Sequence, residues 1–216
     1  MTDIIQIPTF KCNRRSTEPM GIVVHYSGSR YGGSMEQRVR TWAAAKMRKS
    51  STDFMVARNP KQEPTCQMVH PHKPEFSWYT WHSGGSECPQ LGPYWSTRTN
   101  EALIGIDLDN YGFLQLIGGE WCQRRLGFNA PSSLDHRRLK GDKAFEGPVY
   151  VDGLGRGWED YTEAQVAEFI RVAKYAWAAT EKVAIVGHEQ IRSTKSDPGR
   201  AFDRYWPDVL AELESA

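Results

Sequence analysis

Apolar positions along the chain fall into runs of two kinds. Residues 21–27 (GIVVHYS) and 183–187 (VAIVG) are continuous apolar runs, the pattern of buried strands. The first is broken only by His25 and is followed by Gly28; the second ends immediately before His188. Residues 103–109 (LIGIDLD) form another strand, in which period-two alternation places Asp107 and Asp109 on one side. Residues 53–58 (DFMVAR) and 66–70 (CQMVH) are expected to pair as a hairpin, with NPKQEPT as the connection. The other kind of run is helical. Residues 34–47 (SMEQRVRTWAAAKM) predict a helix with Ser34 as N-cap. TEAQVAEFIRVAKYAWAA predicts a second, with Thr162 as N-cap and Gln165 at the capping-box position. A final helix is expected from about Ala201 or Tyr205 to Leu213. Strands alternating with helices imply an α/β fold, a central mixed sheet flanked by helices.

Residues 113–160 break this pattern. They are rich in Gly, Arg and Trp and carry little periodicity. A structureless loop of that length is uncommon in a compact domain. The segment is therefore read as an insertion over one face with short elements of its own, inside a single domain spanning 1–216. Trp121, Arg124, Arg125, Arg137, Arg138 and Trp158 give it two possible roles, shaping substrate choice or forming a solvated structural excursion.

Composition narrows the function classes. The 216 residues are 39% hydrophobic and 25% charged, as in a water-soluble globular protein, and 27 basic against 26 acidic residues give a net charge of +1. That balance argues against nucleic acid or an anionic membrane as the main partner. Eight Trp and nine Tyr are a heavy aromatic load, enough for a core and for a carbohydrate or peptide groove. Cys12, Cys66, Cys88 and Cys122 are scattered with no CxxC pair, so buried apolar thiols are expected rather than a zinc ribbon or redox motif. The first residues, MTDIIQIPTFKCNRR, hold Asp3 and Pro8 where a leader needs a continuous apolar core. No apolar run reaches the ~20 residues of a membrane span. The expectation is a monomer made in the cytoplasm, reaching a cell wall only through phage lysis or dedicated export.

The candidate chemistry sits at strand ends. A polar imidazole among buried apolar residues needs a partner, and two of them, His25 and His188, occupy comparable strand positions. An acid follows in a tight turn: in STKSDPGRAF, Pro198 and Gly199 can present the Asp197 carboxylate rigidly. Lys195, two residues earlier, is a cation able to stabilise an oxyanion. Each has a plainer reading alone: a satisfied core histidine, a turn aspartate, a solvated lysine. HEQIR at 188–192 begins like the zincin HExxH, but Arg192 stands where the second histidine must be and the segment follows a strand.

The stretches GIVVHYSG, STDFMVAR, QMV, WHSG, TNEALIGIDLDNYG, YTEAQ and GHEQIRSTKSDPGRAFD, in that order, resemble the zinc-dependent N-acetylmuramoyl-L-alanine amidases. These include phage lysozyme-type and cytosolic muropeptide amidases, and animal peptidoglycan recognition proteins share their fold. The resemblance covers roughly 21–112 and 160–207. It implies Zn²⁺ ligands at His25, His188 and Asp197 and a catalytic lysine at Lys195. It places the IGIE motif on Ile104-Gly105-Ile106-Asp107, with Asp107 as general base. It puts Trp81 and His82, from a WHAG-like motif, and Asn100 beside the site, with His82 assisting catalysis and Trp81 and Asn100 contacting substrate. Two imidazoles and one carboxylate leave zinc an open fourth position, the mark of a catalytic site. The implied reaction is hydrolysis of the amide between the lactyl group of N-acetylmuramic acid and L-Ala, on peptidoglycan or muropeptides.

Departures from the family pattern keep alternatives open. Asp107 replaces Glu and is shorter by one methylene, about 1.5 Å. Thr52 stands where phage members carry a tyrosine. The segment between His188 and Asp197 is slightly shorter than in the cytosolic branch, and 113–160 has no recognised counterpart. A non-catalytic peptidoglycan receptor, or an amidase acting on another peptidoglycan peptide bond, therefore remain alternatives.

Overall fold

The structure, a computed structural model, describes residues 4–28, 34–45, 51–69, 76–123 and 143–215. Arg124, Arg125, Arg137 and Arg138 of the expected insertion lie outside the described residues, as do Lys46, Met47 and His70 at the ends of expected elements.

In chain order the strands and helices are β1 (Ile5–Pro8), β2 (Cys12–Arg14), β3 (Gly21–Tyr26), α1 (Met35–Ala44), β4 (Phe54–Val56), β5 (Cys66–Val69), β6 (Trp78–Thr80), α2 (Gly92–Trp95), α3 (Thr99–Ala102), β7 (Leu103–Leu108), β8 (Phe113–Ile117), β9 (Glu120–Gln123), β10 (Lys143–Ala144), β11 (Val149–Val151), β12 (Gly157–Glu159), α4 (Glu163–Trp177), β13 (Ala184–Gly187), α5 (His188–Ile191) and α6 (Trp206–Glu214). A 3-10 turn over Arg200–Tyr205 leads into α6, which accounts for the two possible starts read from the sequence.

The main sheet has the order β1-β5-β4-β7-β3-β13. Only the β4–β5 hairpin is antiparallel; the other pairings are parallel, so the sheet is mixed as expected. β3 and β7 are buried along their whole length, which is why they read as apolar runs interrupted only by His25 and Asp107. Alternation sorts their side chains. Ile22, Val24, Ile104, Ile106, Phe54 and Val56 pack against Val166, Phe169, Val172 and Ala173 of α4. Asp53, Gly105, Asp107 and His25 fall on the alternate positions and share the opposite face.

The helix starts follow their caps. The Ser34 hydroxyl accepts from Gln37 N, and the Thr162 hydroxyl from Gln165 N. Gln165 does not complete a capping box: its side-chain amide donates to the Asp109 carbonyl at 3.1 Å instead. That contact ties α4 to the end of β7. Asp109 lies just beyond β7 and is committed to Arg38 and Arg58, at 2.6 and 3.8 Å.

The described part of 113–160 is ordered as an antiparallel sheet, β10-β9-β8-β12-β11. Its strands are two to five residues long, too short to show a period in sequence. All four cysteines are buried, and none forms a disulfide. Among the described residues, no helix is long and apolar enough to cross a membrane.

Candidate metal centre

β3 delivers His25, and the turn from β13 into α5 delivers His188. The two strands are parallel neighbours, with Gly187 opposite Val24, so both imidazoles emerge at the same sheet edge. Asp197 comes from the following turn. Its peptide bond to Pro198 is cis, and Gly199 takes φ +84°, a conformation that side-chain-bearing residues rarely adopt. The turn packs closely on both sides. A Cβ on Gly187 would stand 2.7 Å from Pro198 Cδ, and one on Gly199 would stand 2.9 Å from Trp158 Cδ1. The Tyr161 hydroxyl donates to the Pro198 carbonyl at 2.7 Å, and Glu189 N donates to the Asp197 carbonyl at 2.8 Å. Trp158 belongs to β12, so the second sheet buttresses the turn that presents Asp197.

Three donor atoms converge. His25 Nδ1 lies 3.0 Å from His188 Nδ1 and 2.8 Å from Asp197 Oδ2, and His188 Nδ1 lies 2.9 Å from the same oxygen. All three residues are buried. Two imidazole nitrogens and a carboxylate oxygen this close bring lone pairs together, an arrangement that a shared cation satisfies. Nitrogen and oxygen donors of this kind suit Zn²⁺. The outward nitrogens are also engaged: His188 Nε2 lies 3.1 Å from Ser86 Oγ, and His25 Nε2 lies 3.4 Å from His82 Nδ1. The donor set fits a zinc ion.

The charges are strongly coupled. Burial alone would raise the Asp197 carboxyl, but hydrogen bonds from His188 and His25 outweigh it and hold the group below the usual carboxylate range. Burial pulls His188 down to about 4 against its bond to Asp197. Burial also pulls on His25, yet the Asp197 bond and the Asp107 and Asp197 charges carry it above its ordinary value.

Asp107 is buried opposite His25 in register, with its carboxyl pushed up to about 6 by burial. The buried Thr52 hydroxyl sits against it and opposes that rise. Lys195 is half-buried on the Asp197 turn, and its charge is felt at His25, His188 and Asp107. Glu189 contributes no donor to the cluster, and Arg192 donates to the Gly84 carbonyl, in keeping with rejection of the zincin pattern.

His82 and Asn100 are both engaged beside the donor atoms. The His82 side chain is only 1% exposed and lies behind His25, with Nε2 at 3.2 Å from the Leu103 carbonyl. Burial and the neighbouring His25 charge keep its pKa well below the ordinary histidine value, so it is a neutral group supporting His25. Asn100 uses its Oδ1 to accept from His82 N at 2.9 Å and Ser83 N at 2.6 Å, so this atom holds the WHSG loop and leaves the Nδ2 amide for other contacts. Trp81, half-buried, donates from its backbone N to the Ser51 hydroxyl oxygen, and its carbonyl accepts from Ser51 N. Sequence reasoning missed Ser86, Asp53 and Arg15. An aspartate heading the apolar run of β4 is the one visible signal among them.

A family model described as N-acetylmuramoyl-L-alanine amidase matches residues 15–200. No curated protein matches the chain. Among solved structures, the N-acetylmuramyl-L-alanine amidase AmiD from E. coli, in complex with the substrate anhydro-N-acetylmuramic acid-L-Ala-D-gamma-Glu-L-Lys, is 20% identical with TM-score 0.55, over 93% of this chain and 60% of that one. A mutant endolysin from Bacillus subtilis is 17% identical with TM-score 0.56, over 99% of both chains. AmpDh3 from Pseudomonas aeruginosa, in complex with anhydromuramic pentapeptide, is 16% identical with TM-score 0.52, over 90% of this chain and 59% of that one. The chain thus spans about 60% of the length of AmiD and AmpDh3. At these identities the structural likenesses establish a shared fold. With a match over 186 consecutive residues (15 through 200), the chain belongs to the N-acetylmuramoyl-L-alanine amidase family.

Proposed function

We propose that His25, His188 and Asp197 hold one zinc ion, and that the site hydrolyses the amide joining the lactyl group of N-acetylmuramic acid to L-Ala. The observation that carries the proposal is the approach of His25 Nδ1, His188 Nδ1 and Asp197 Oδ2 to within 3.0 Å of one another. Zinc in such a site supplies a Lewis acid that polarises a carbonyl and makes water acidic enough to yield hydroxide near neutral pH.

The chain's own residues do the rest. Asp107 takes the proton from the attacking water and returns it to the leaving amine of L-Ala. Its raised pKa suits a group that must both accept and release a proton near neutrality. Thr52, whose hydroxyl donates to the Phe54 and Gly105 carbonyls, stands in the place of the phage tyrosine without replacing it as an acid. Lys195 stabilises the negative charge that develops on the carbonyl oxygen, a role worth about 3–4 kcal/mol in other hydrolases. His82 supports His25. Trp81 from the WHSG loop and the Asn100 amide from α3 contact the substrate. AmiD and AmpDh3 were solved with anhydromuramyl peptides, and the same ligand class is proposed here.

The test uses purified protein, intact sacculi and a soluble anhydro-muropeptide. The protein should contain about one zinc per chain, lose it and its activity to a chelator, and release free L-Ala amino groups. A chain that binds peptidoglycan without turnover is a receptor instead. Preference for sacculi indicates a lytic role, and preference for the small substrate indicates recycling.

A further inference from the structure

Behind His25 a chain of buried polar groups runs away from the converging donors. His82 Nδ1 lies 3.4 Å from His25 Nε2. His82 Nε2 lies 3.2 Å from the Leu103 carbonyl oxygen and 3.7 Å from Asp53 Oδ2. Asp53 accepts from Gly105 N at 2.8 Å and stands 3.8 Å from Arg15 Nη2. Arg15 is buried, and its guanidinium donates to the Glu101 and Leu103 carbonyls. Gly105 leaves the room this requires, since a Cβ there would stand 2.6 Å from His82 Cγ.

The hydrogen-bonding roles follow from what each group can do. A carbonyl and a carboxylate only accept, so His82 Nε2 carries the ring proton and Nδ1 keeps a lone pair. His25 Nε2 must then be the donor to His82. The lone pair of a neutral His25 is left on Nδ1, facing His188 and Asp197. The opposite His82 tautomer would aim an Nε2 lone pair at two acceptors.

We propose that His82, held by Asp53 and Arg15, is a positioning residue that sets His25 as its Nε2–H tautomer and turns the Nδ1 lone pair toward the metal site. The proposal rests on the reading of His25 as a ligand. Asp53 supplies a second acceptor behind the His82 donor, and the Arg15 cation beside it opposes the rise that burial imposes on the Asp53 carboxyl. The contacts join residues from the β2–β3 connection, the start of β4, the WHSG loop and β7.

The test compares three variants of the full chain with the unsubstituted protein. Zinc affinity is read by chelator competition and histidine tautomers by ¹⁵N NMR. Unsubstituted His82 should show one tautomer, Nε2–H, and zinc-loaded His25 should carry its proton on Nε2. His82→Leu removes the acceptor and should weaken zinc binding roughly 10–100-fold. His82→Gln can accept from His25 and donate to Leu103, and should stay within about threefold of the unsubstituted protein. Asp53→Asn replaces the carboxyl by an amide and should weaken zinc about tenfold. Failure of the unsubstituted protein to bind zinc overturns both readings. An Nδ1–H tautomer of His82, or a His82→Leu protein with undiminished zinc affinity, overturns this one alone. If His82→Leu does not fold, the tautomer measurement on the unsubstituted protein decides.

Discussion

His25 on β3 and Asp107 on β7 are register partners on adjacent parallel strands, and their side chains share the sheet face turned away from α4. One imidazole and one carboxylate are thereby set side by side on two strands buried along their whole length. The pairing is the geometry on which the proposed role of Asp107 as general base rests.

Asp107 is pushed up to about 6 by burial, so the protonated, inactive form dominates below that pH. A zinc ion beside it would favour the carboxylate and oppose that rise. The kcat/KM profile should therefore show an acid limb no higher than about pH 6. Asp107→Asn should lower kcat by roughly 10²–10⁴-fold while zinc content stays unchanged. A variant with full kcat would remove Asp107 from the mechanism.

Zinc affinity should rise with pH. The His25 pKa lies above its ordinary value, so protons compete with the cation even near neutrality. The sign is opposite for the metal-free fold, which loses the contribution of protonated His25 as pH rises through that raised value. Competition titrations at several pH values between about 6 and about 8 should show tighter binding at the alkaline end. A pH-independent Kd would contradict protonation of a ligand.

Gly105→Ala should be costly although the residue lies in a regular strand. The added methyl meets the His82 ring. Overpacking of this kind costs about 1–3 kcal/mol, and the displaced ring should also loosen its hold on His25. Thermal unfolding and zinc titration should shift together. An unchanged Tm would mean that the WHSG loop moves aside freely.

Thr162→Ala tests the fold apart from the site. Loss of its cap to Gln165 N should cost about 1 kcal/mol in denaturant unfolding. Zinc content and turnover should not change. A loss of activity in folded protein would link α4 to the chemistry in a way the present contacts do not.

Much of this architecture was legible in sequence because it is local. Largely apolar runs marked β3, β7 and β13, with His25 and Asp107 as interruptions, while Ser34 and Thr162 marked helix starts by their own side chains. Strand ends and a Pro-Gly turn raised His25, His188 and Asp197 as candidates, and the ordered family motifs made them a ligand set. The rest depends on contacts that no local pattern records. Arg15 meets the Glu101 carbonyl across 86 positions, and Ser86 meets His188 across 102. Asp109 alternates correctly with Asp107, yet lies past the strand end and is taken by Arg38 and Arg58. The β8–β12 sheet was hidden by strands too short to establish a period.

The central claim is that His25, His188 and Asp197 form a zinc site that cleaves the lactyl–L-Ala amide. Mass spectrometry of products from a soluble anhydro-muropeptide, with zinc-supplied unsubstituted protein and Asp197→Ala side by side, tests it most directly. The account predicts that the unsubstituted protein yields anhydro-N-acetylmuramic acid and an intact peptide beginning with L-Ala, and that Asp197→Ala leaves the substrate whole. Equal turnover by Asp197→Ala, or cleavage at another peptide bond, would contradict it.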